Sequence, residues 1–515
     1  MLQPLDFAVI VVYLVGVAWL GLRAGGRQTS TADYFLGGRD LPWWAVCFSV
    51  IATETSTLTV IGVPAVAYGG SLLFLQLTFG YLLGRLLVAA VLLPRYFRGE
   101  LVTAYAYLGE RFGDGMRGLA SVTFMVTRLL ADGVRLFATA IPIKVIAAGA
   151  GLDLGYPAII VVIGLVTVAY TYVGGLRAVV WVDAVQMGVY LGGAVAAAAL
   201  LLGALPAGWW GEAVAAGKTE VLDLGGGLTH WLTSPYAFPT AVLGGALFSM
   251  ASHGADQLIV QRILACRSLR DGQRAMVGSG VGVILQFALF LLVGLLLWAY
   301  YRGAAPSALG LARGDEVFPK FIVEGMPPGV SGLLLAGIVA AAMSTLSSSL
   351  NALAGATVLD VIERLGGRRP DEAAALRLSR VLTLAWGVVF IGFALLFRSI
   401  ENPVVELGLG IAGFTYGGLL GAFLLGILSR RARQADAAVA FVVTVAVMTA
   451  VIFGLYYSTE ADAWVFVFRP SAEVRAAQGL VPLAWPLYTV FGAAGMVALG
   501  SVLGGVRKGE VSGVD

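Results

Sequence analysis

Apolar runs of about 20 residues, each long enough to cross a bilayer as a helix, recur along the chain. They fall at 6–24, 42–68, 72–97, 118–149, 155–174, 178–203, 237–265, 274–300, 330–362, 376–397, 402–429, 435–457 and 483–505. Their lengths predict an all-α polytopic membrane protein of about thirteen transmembrane helices, a single transmembrane domain over 1–515. The residues before the first run carry no basic charge and no small-residue cleavage pattern follows it, so it reads as a retained helix rather than a signal peptide. The stretches 204–236, 301–329 and 458–480 are long and mixed in charge, and are expected to fold as short lid helices.

Composition narrows the picture. Of 515 residues 59% are hydrophobic and only 12% charged, too little polar surface to clothe a water-soluble globule of this size. Lysine and arginine number 33 against 30 acidic residues, a spread too even for a nucleic-acid partner. Position matters more. Arg23, Arg27 and Arg39, then Arg95, Arg98, Arg111 and Arg117, then Arg262, Arg267 and Arg270, then Arg364 through Arg380, and Arg430 to Arg433 crowd alternate loops. Basic residues collect on the cytoplasmic side, so the N-terminus is expected outside, the C-terminus in the cytoplasm and the protein in the cell inner membrane. Cys47 and Cys266 then lie on the reducing side, where neither a disulfide nor a cysteine metal site is expected.

Spans that hold charge or interrupt their own hydrogen bonds face a pathway rather than lipid. The second span carries ATETSTLTVIGVP at 52–64, where hydroxyls, Gly62, Pro64 and the carboxyl of Glu54 predict an unwound stretch with freed carbonyls. The seventh span offers a second break around Ser249, Ser252, His253, Gly254 and Asp256, although His253 is equally suited to capping a freed carbonyl. In the ninth span, Ala341, Ser344, Thr345 and Ser348 share one helical face, with Ser347 just beyond and Asn351 at its border. Such a hydroxyl stripe suits a small hard cation, whereas close helix packing would be served by smaller residues. Asp183, deep in the sixth span, requires either an arginine or a cation. Asp132 and Arg135 stand at i, i+3, which makes either a structural ion pair or a guanidinium offered to a substrate carboxylate. No phosphate-binding or dinucleotide fingerprint stands in a strand-to-helix context, and two histidines build no metal centre. His253 with Asp256 is the one candidate reactive pair, so an enzyme is not expected.

Five of these stretches, DYFLGGRDLPWW, ATETSTLTVIGVP, GGLRAVVWVDAVQ, DQLIVQRILAC and AAMSTLSSSLN, occur in an order that resembles the sodium/solute symporters. That resemblance implies the leucine-transporter-like fold: a 5+5 inverted repeat, with 42–203 and 237–429 as the halves, one leading helix (6–24) and two trailing ones (435–457 and 483–505). It implies sodium-coupled symport of a small organic solute by alternating access. By position, sodium site 1 would use carbonyls of Ala52, Thr55 and Ala341 with hydroxyls of Ser344 and Thr345. A second site would use Asp183, Ser344, Ser347 and Ser348, giving two sodium ions per cycle. Glu54 stands where proline-transporting relatives have an Asp important for sodium, and is assigned to coupling. Solute ligands are expected from Ser56, Thr57, Thr59, Gln76, Arg135, Ser249, Ser252 and His253. The aromatic pair of sugar-transporting members is replaced by Ser252 and His253, and their glutamine by Leu409, so an organic anion, amino acid or similar metabolite is expected. The partners expected are that solute, sodium and lipid, around a functional monomer. A proton-coupled carrier of the same fold and a solute receptor that moves nothing stand as the alternatives.

Overall fold

The chain was analysed as a computed structural model that describes all residues except 1–2, 26–35, 100, 102, 150, 152, 172–175, 363–371, 397–403 and 512–515. Helices occupy the apolar runs. The first half gives α1 (Pro4–Gly25), α2 (Trp43–Glu54), α3 (Thr57–Gly69), α4 (Leu75–Arg98), α5 (Ala104–Phe112), α6 (Asp114–Gly149), α7 (Tyr156–Thr171) and α8 (Leu176–Ala204). Two short helices follow, α9 (Trp209–Ala215) and α10 (Leu228–Thr233), then α11 (Phe238–Gly254), α12 (Gln257–Leu264) and α13 (Leu269–Tyr300). The remainder is α14 (Val317–Gly325), α15 (Val330–Ala356), α16 (Glu372–Ala394), α17 (Val404–Leu428), α18 (Gln434–Gly454), α19 (Ala472–Ala477) and α20 (Leu487–Val511). Among the described residues seven helices are long and apolar enough to cross a membrane, and eight if α2 and α3 count as one bent span.

One region departs from the expected all-helical pattern. Residues 455–457, read as the end of a span, are strand, and 458–480 carries strand as well as the short helix α19. β1 (Leu455–Ser458) pairs antiparallel with β2 (Ala463–Phe466) and with β3 (Leu480–Pro482), in the order β2-β1-β3. The helix ends as Leu455 turns to extended backbone (φ −92°, ψ 115°), and the Phe466 ring packs onto Gly454, where a Cβ would lie 2.5 Å from it. Tyr457 and Trp464 face each other across the strands with ring centroids 5.7 Å apart, a cross-strand aromatic pair of the kind that stabilises short sheets.

The helices sort into two compact units, each assembled from three separate stretches of chain. Unit one is Met1–Leu75, Arg128–Val221 and Gln261–Gly408; unit two is Gln76–Thr127, Leu222–Val260 and Leu409–Asp515.

In unit one, α13 runs along both halves of the broken pair. A Cβ on Gly294 would sit 2.2 Å from the Pro64 carbonyl oxygen of α3, so only glycine permits that approach, and Gly282 faces the Ile51 side chain of α2. Helix α1 is fastened to the start of α15 by Asp6. Its buried carboxylate accepts from Gly329 N–H (2.6 Å), Ser331 Oγ (2.6 Å) and Gly332 N–H (3.1 Å), an N-cap supplied from another helix.

In unit two, α4 and α11 are equally close, since a Cβ on Gly84 would fall 2.2 Å from the Ala246 carbonyl. Arg111 donates to the carbonyls of Gly426, Ser429 and Ala432, using its fork of donors to satisfy the C-terminal end of α17.

Candidate functional site

The break between α2 and α3 bends the pair by 61°. Thr55 (φ −84°, ψ 86°) and Ser56 (φ −95°, ψ −178°) leave helical geometry, and their amides change partners. The Ser56 N–H, which a continuous helix would give to the Ala52 carbonyl, goes to Glu54 O at 3.2 Å. The Thr59 N–H, which would serve the Thr55 carbonyl, goes to Ser56 O at 2.9 Å. Ala52 and Thr55 thus lose their i+4 donors in a buried setting, where a carbonyl seeks another partner. The hydroxyls of the turn are spent differently. Thr55 Oγ1 donates to Ile51 O (2.7 Å), Thr59 Oγ1 to Glu54 O (3.2 Å) and Thr57 Oγ1 to Ile338 O of α15 (3.3 Å). Ser56 Oγ is buried and, among the described residues, has no hydrogen-bond partner.

The Thr57 bond brings the broken pair to α15 one turn before Ala341. Thr345, Ser347 and Ser348 are all buried on that helix. Ala341 and Ser344 lie on its backbone, and their side chains fall outside the described residues, as do those of Asn351 and of Leu409 on α17.

A buried charge network joins four elements of unit one. Ser49 Oγ on α2 donates to Asp183 Oδ2 on α8 at 2.7 Å. Arg262 on α12 reaches Ser49 Oγ through Nε (3.1 Å), Ser348 Oγ on α15 through Nη2 (3.2 Å) and Asp183 Oδ2 at 3.7 Å. The Arg262 side chain is 1% exposed and that of Asp183 4%, so the attraction acts with little solvent screening. The counter-charge expected for Asp183 is therefore present as an arginine. The sequence reading counted Arg262 with the cytoplasmic loop charges; its place three residues inside the apolar run was the signal that it belongs to the interior.

On α6, Arg135 Nη1 lies 3.1 Å from Asp132 Oδ1 and Arg128 Nη1 lies 3.9 Å from the same oxygen. Asp132 is fully buried and Arg135 18% exposed at its side chain, and the two guanidiniums lie on the same carboxylate oxygen. Arg85 on α4 is fully buried.

Of the residues of unit two predicted to bind solute, Gln76 and Ser249 bond to backbone, and Ser252 and His253 meet each other. Gln76 donates to Tyr236 O (2.8 Å) and accepts from Asp223 N–H (3.1 Å), tying down the segment that precedes α11. In that segment His230 Nε2 meets Asp223 Oδ2 at 2.8 Å. Ser249 Oγ donates to Tyr81 O (3.0 Å), and Ser252 Oγ lies 2.8 Å from His253 Nδ1. The break between α11 and α12 is bridged by Asp256, which the sequence placed there, and by two tyrosines that it did not reveal. Tyr96 donates to Gly254 O (2.5 Å), Tyr416 to Asp256 Oδ2 (2.6 Å), and Asp256 Oδ1 caps α12 at Leu258 N–H (3.0 Å). Gln257 Oε1 accepts from Ala104 N–H at 2.7 Å, at the start of α5. Asp256 and Gln257 thus act here as end caps.

Residues 34–444 match the sodium:solute symporter family. The chain is 32% identical to the human sodium/iodide cotransporter over 437 residues, which is 82% of this chain and 65% of that one, so it spans just under two thirds of that relative. It is 28% identical over 458 residues to the sodium/sialic acid symporter NanT of Aliivibrio fischeri, covering 86% of each. A solved substrate-bound, outward-open Na+-coupled sialic acid symporter superposes with a TM-score of 0.78 at 25% identity, over 98% of both chains.

Proposed function

The chain belongs to the sodium:solute symporter family, and from that premise we propose that it carries a small organic solute, an anion by preference, together with two sodium ions by alternating access. Sodium is the coupling ion. The observation that carries the site assignment is the pair of diverted amides at Ser56 and Thr59. They strip the Ala52 and Thr55 carbonyls of their helical donors beside a helix bearing Thr345, and hard oxygens of this kind suit an alkali cation. Ala341, Ser344 and Thr345 complete the first site in this reading, with Glu54 at the end of α2 as the coupling carboxylate.

The second site is Asp183 with Ser344, Ser347 and Ser348. Since Arg262 already lies against Asp183 and Ser348, a second sodium there competes with the guanidinium, and the ion enters as the arginine withdraws. For the solute, Ser56 offers an unspent hydroxyl, and Arg135, 18% exposed at its side chain, offers a guanidinium to a carboxylate. The named relatives transport iodide and sialic acid, both anions at neutral pH, which supports the same preference.

The proposed frame is about thirteen spans in a 5+5 inverted repeat, set in the cell inner membrane as a functional monomer with the N-terminus outside. One cation gains about 2.3 kcal/mol across 100 mV and about 1.4 from a tenfold gradient, so two ions supply about 7 kcal/mol, enough for about 10⁵-fold accumulation of a neutral solute. The test is a melting screen of carboxylates and amino acids in sodium and in choline, followed by uptake of the hit into proteoliposomes. Uptake must rise with a sodium gradient and ignore a pH gradient. Uptake driven by pH in choline would replace this reading with proton coupling, and binding without counterflow would replace it with a receptor.

A further inference from the structure

Helix α13 lies along both α2 and α3, with Gly282 against Ile51 and Gly294 against Pro64, and so bridges the break like a splint. Between those glycines, Gln286 is 2% exposed and meets the unwound turn itself, with Nε2 2.5 Å from Thr55 Oγ1. The direction of that bond is fixed by chemistry. Thr55 spends its hydroxyl proton on Ile51 O, so toward Gln286 it can only accept, and only the amide nitrogen can donate. The other end of the amide has no such use: among the described residues Gln286 Oε1 is buried without a hydrogen-bond partner. Burying an acceptor without a donor costs stability, so an apolar side chain of the same length would hold α13 more firmly. What the amide adds is a lock on the Thr55 side chain, and thereby on the direction of the Thr55 carbonyl.

We propose that Gln286 is a positioning residue for sodium binding, holding the turn at Thr55 in its unwound form so that the Thr55 carbonyl stays turned away from the helix. The inference rests on the reading of Ala52 and Thr55 as sodium ligands. Its test uses purified full-length protein, titrated with sodium chloride against choline chloride at constant ionic strength and read as melting temperature. Q286M keeps the length and removes the donor. It is expected to raise the half-saturating sodium concentration about fivefold, the worth of one hydrogen bond between neutral groups. T55V, which removes the bond to Ile51 O as well, should shift the titration at least as far, and the Q286M/T55V pair should shift no further than T55V alone, because the bond that Q286M removes is already gone. T345A separates the two ideas. If T345A shifts the titration while Q286M leaves it at the parent value, the role of Gln286 is overturned and the site stands. If neither shifts it, the site itself is overturned. Q286M protein that melts lower in choline, yet titrates with sodium as the parent does, shows Gln286 to be mere packing and also overturns the proposal.

Discussion

Replacing Arg262 with methionine removes a guanidinium that is 1% exposed while roughly conserving its stem. Asp183 would keep the Ser49 hydroxyl at 2.7 Å but lose its counter-charge, and Ser348 would lose its donor. Removing one partner of a buried ion pair costs about 3–5 kcal/mol, chiefly through the charge left behind. Removing both charges is far milder, because a buried pair exchanged for neutral groups is close to balanced. R262M should therefore lower the melting temperature in choline, and adding D183N to it should restore most of the loss, with a coupling of about 2–3 kcal/mol between the two sites. Sodium supplies a second reading. If the ion takes the place of the guanidinium, sodium at about a hundred times its dissociation constant returns about 2.7 kcal/mol to R262M, so its sodium-induced melting shift should exceed that of the parent. The assay is thermal unfolding of four proteins, parent, R262M, D183N and the double variant, each in choline and in sodium. Additive losses in the double variant would refute the pairing argument, and a sodium shift in R262M no larger than the parent's would refute competition between arginine and ion.

Four further outcomes follow. D183N should lower the sodium stoichiometry from two toward one, read as a changed reversal potential in liposomes; an unchanged value removes the second site. D6A deletes the carboxylate that caps α15 from α1 and should cost about 1–2 kcal/mol in thermal unfolding without altering sodium affinity. Arg135→Gln should raise the half-saturating concentration of a carboxylate solute at least tenfold while sparing a neutral one, and equal effects on both would assign Arg135 to the Asp132 pair alone. Burial, helped by Asp271 and Cys47, pushes the Cys266 thiol up to about 12, so it stays protonated and unreactive at pH 8; maleimide labelling of folded protein at that pH should leave Cys266 unmodified until denaturant is added.

The first break was legible because it concentrates hydroxyls, glycine and proline where a lipid-facing helix tolerates few of them. The i, i+3 spacing likewise put Arg135 beside Asp132, which lie 3.1 Å apart. Contacts between distant segments were not legible. Nothing in the order of residues links Ser49 to Asp183, or Arg262 to Ser348, because periodicity gives a face of one helix and not the helix it meets. Gln76 was expected at the solute from its place on the third span, and its bonds to the backbone of Tyr236 and Asp223 were not legible. The short strands around 455–482 also escaped, since three or four alternating residues beside a long apolar run carry too weak a period to outweigh it.

The two interruptions in this chain are finished differently. At the later one, tyrosine and aspartate side chains from the protein itself take up Gly254 O and the Leu258 N–H, so that kink carries its own stitching whatever the surrounding solution contains. At the earlier one, the Ala52 and Thr55 carbonyls have lost their helical donors, and under the proposed sodium site the firmness of that joint becomes a property of the medium. Amide deuteration of residues 52–60 should slow when choline is exchanged for sodium while residues 252–260 keep their pace, making one elbow of the protein a gauge of external salt.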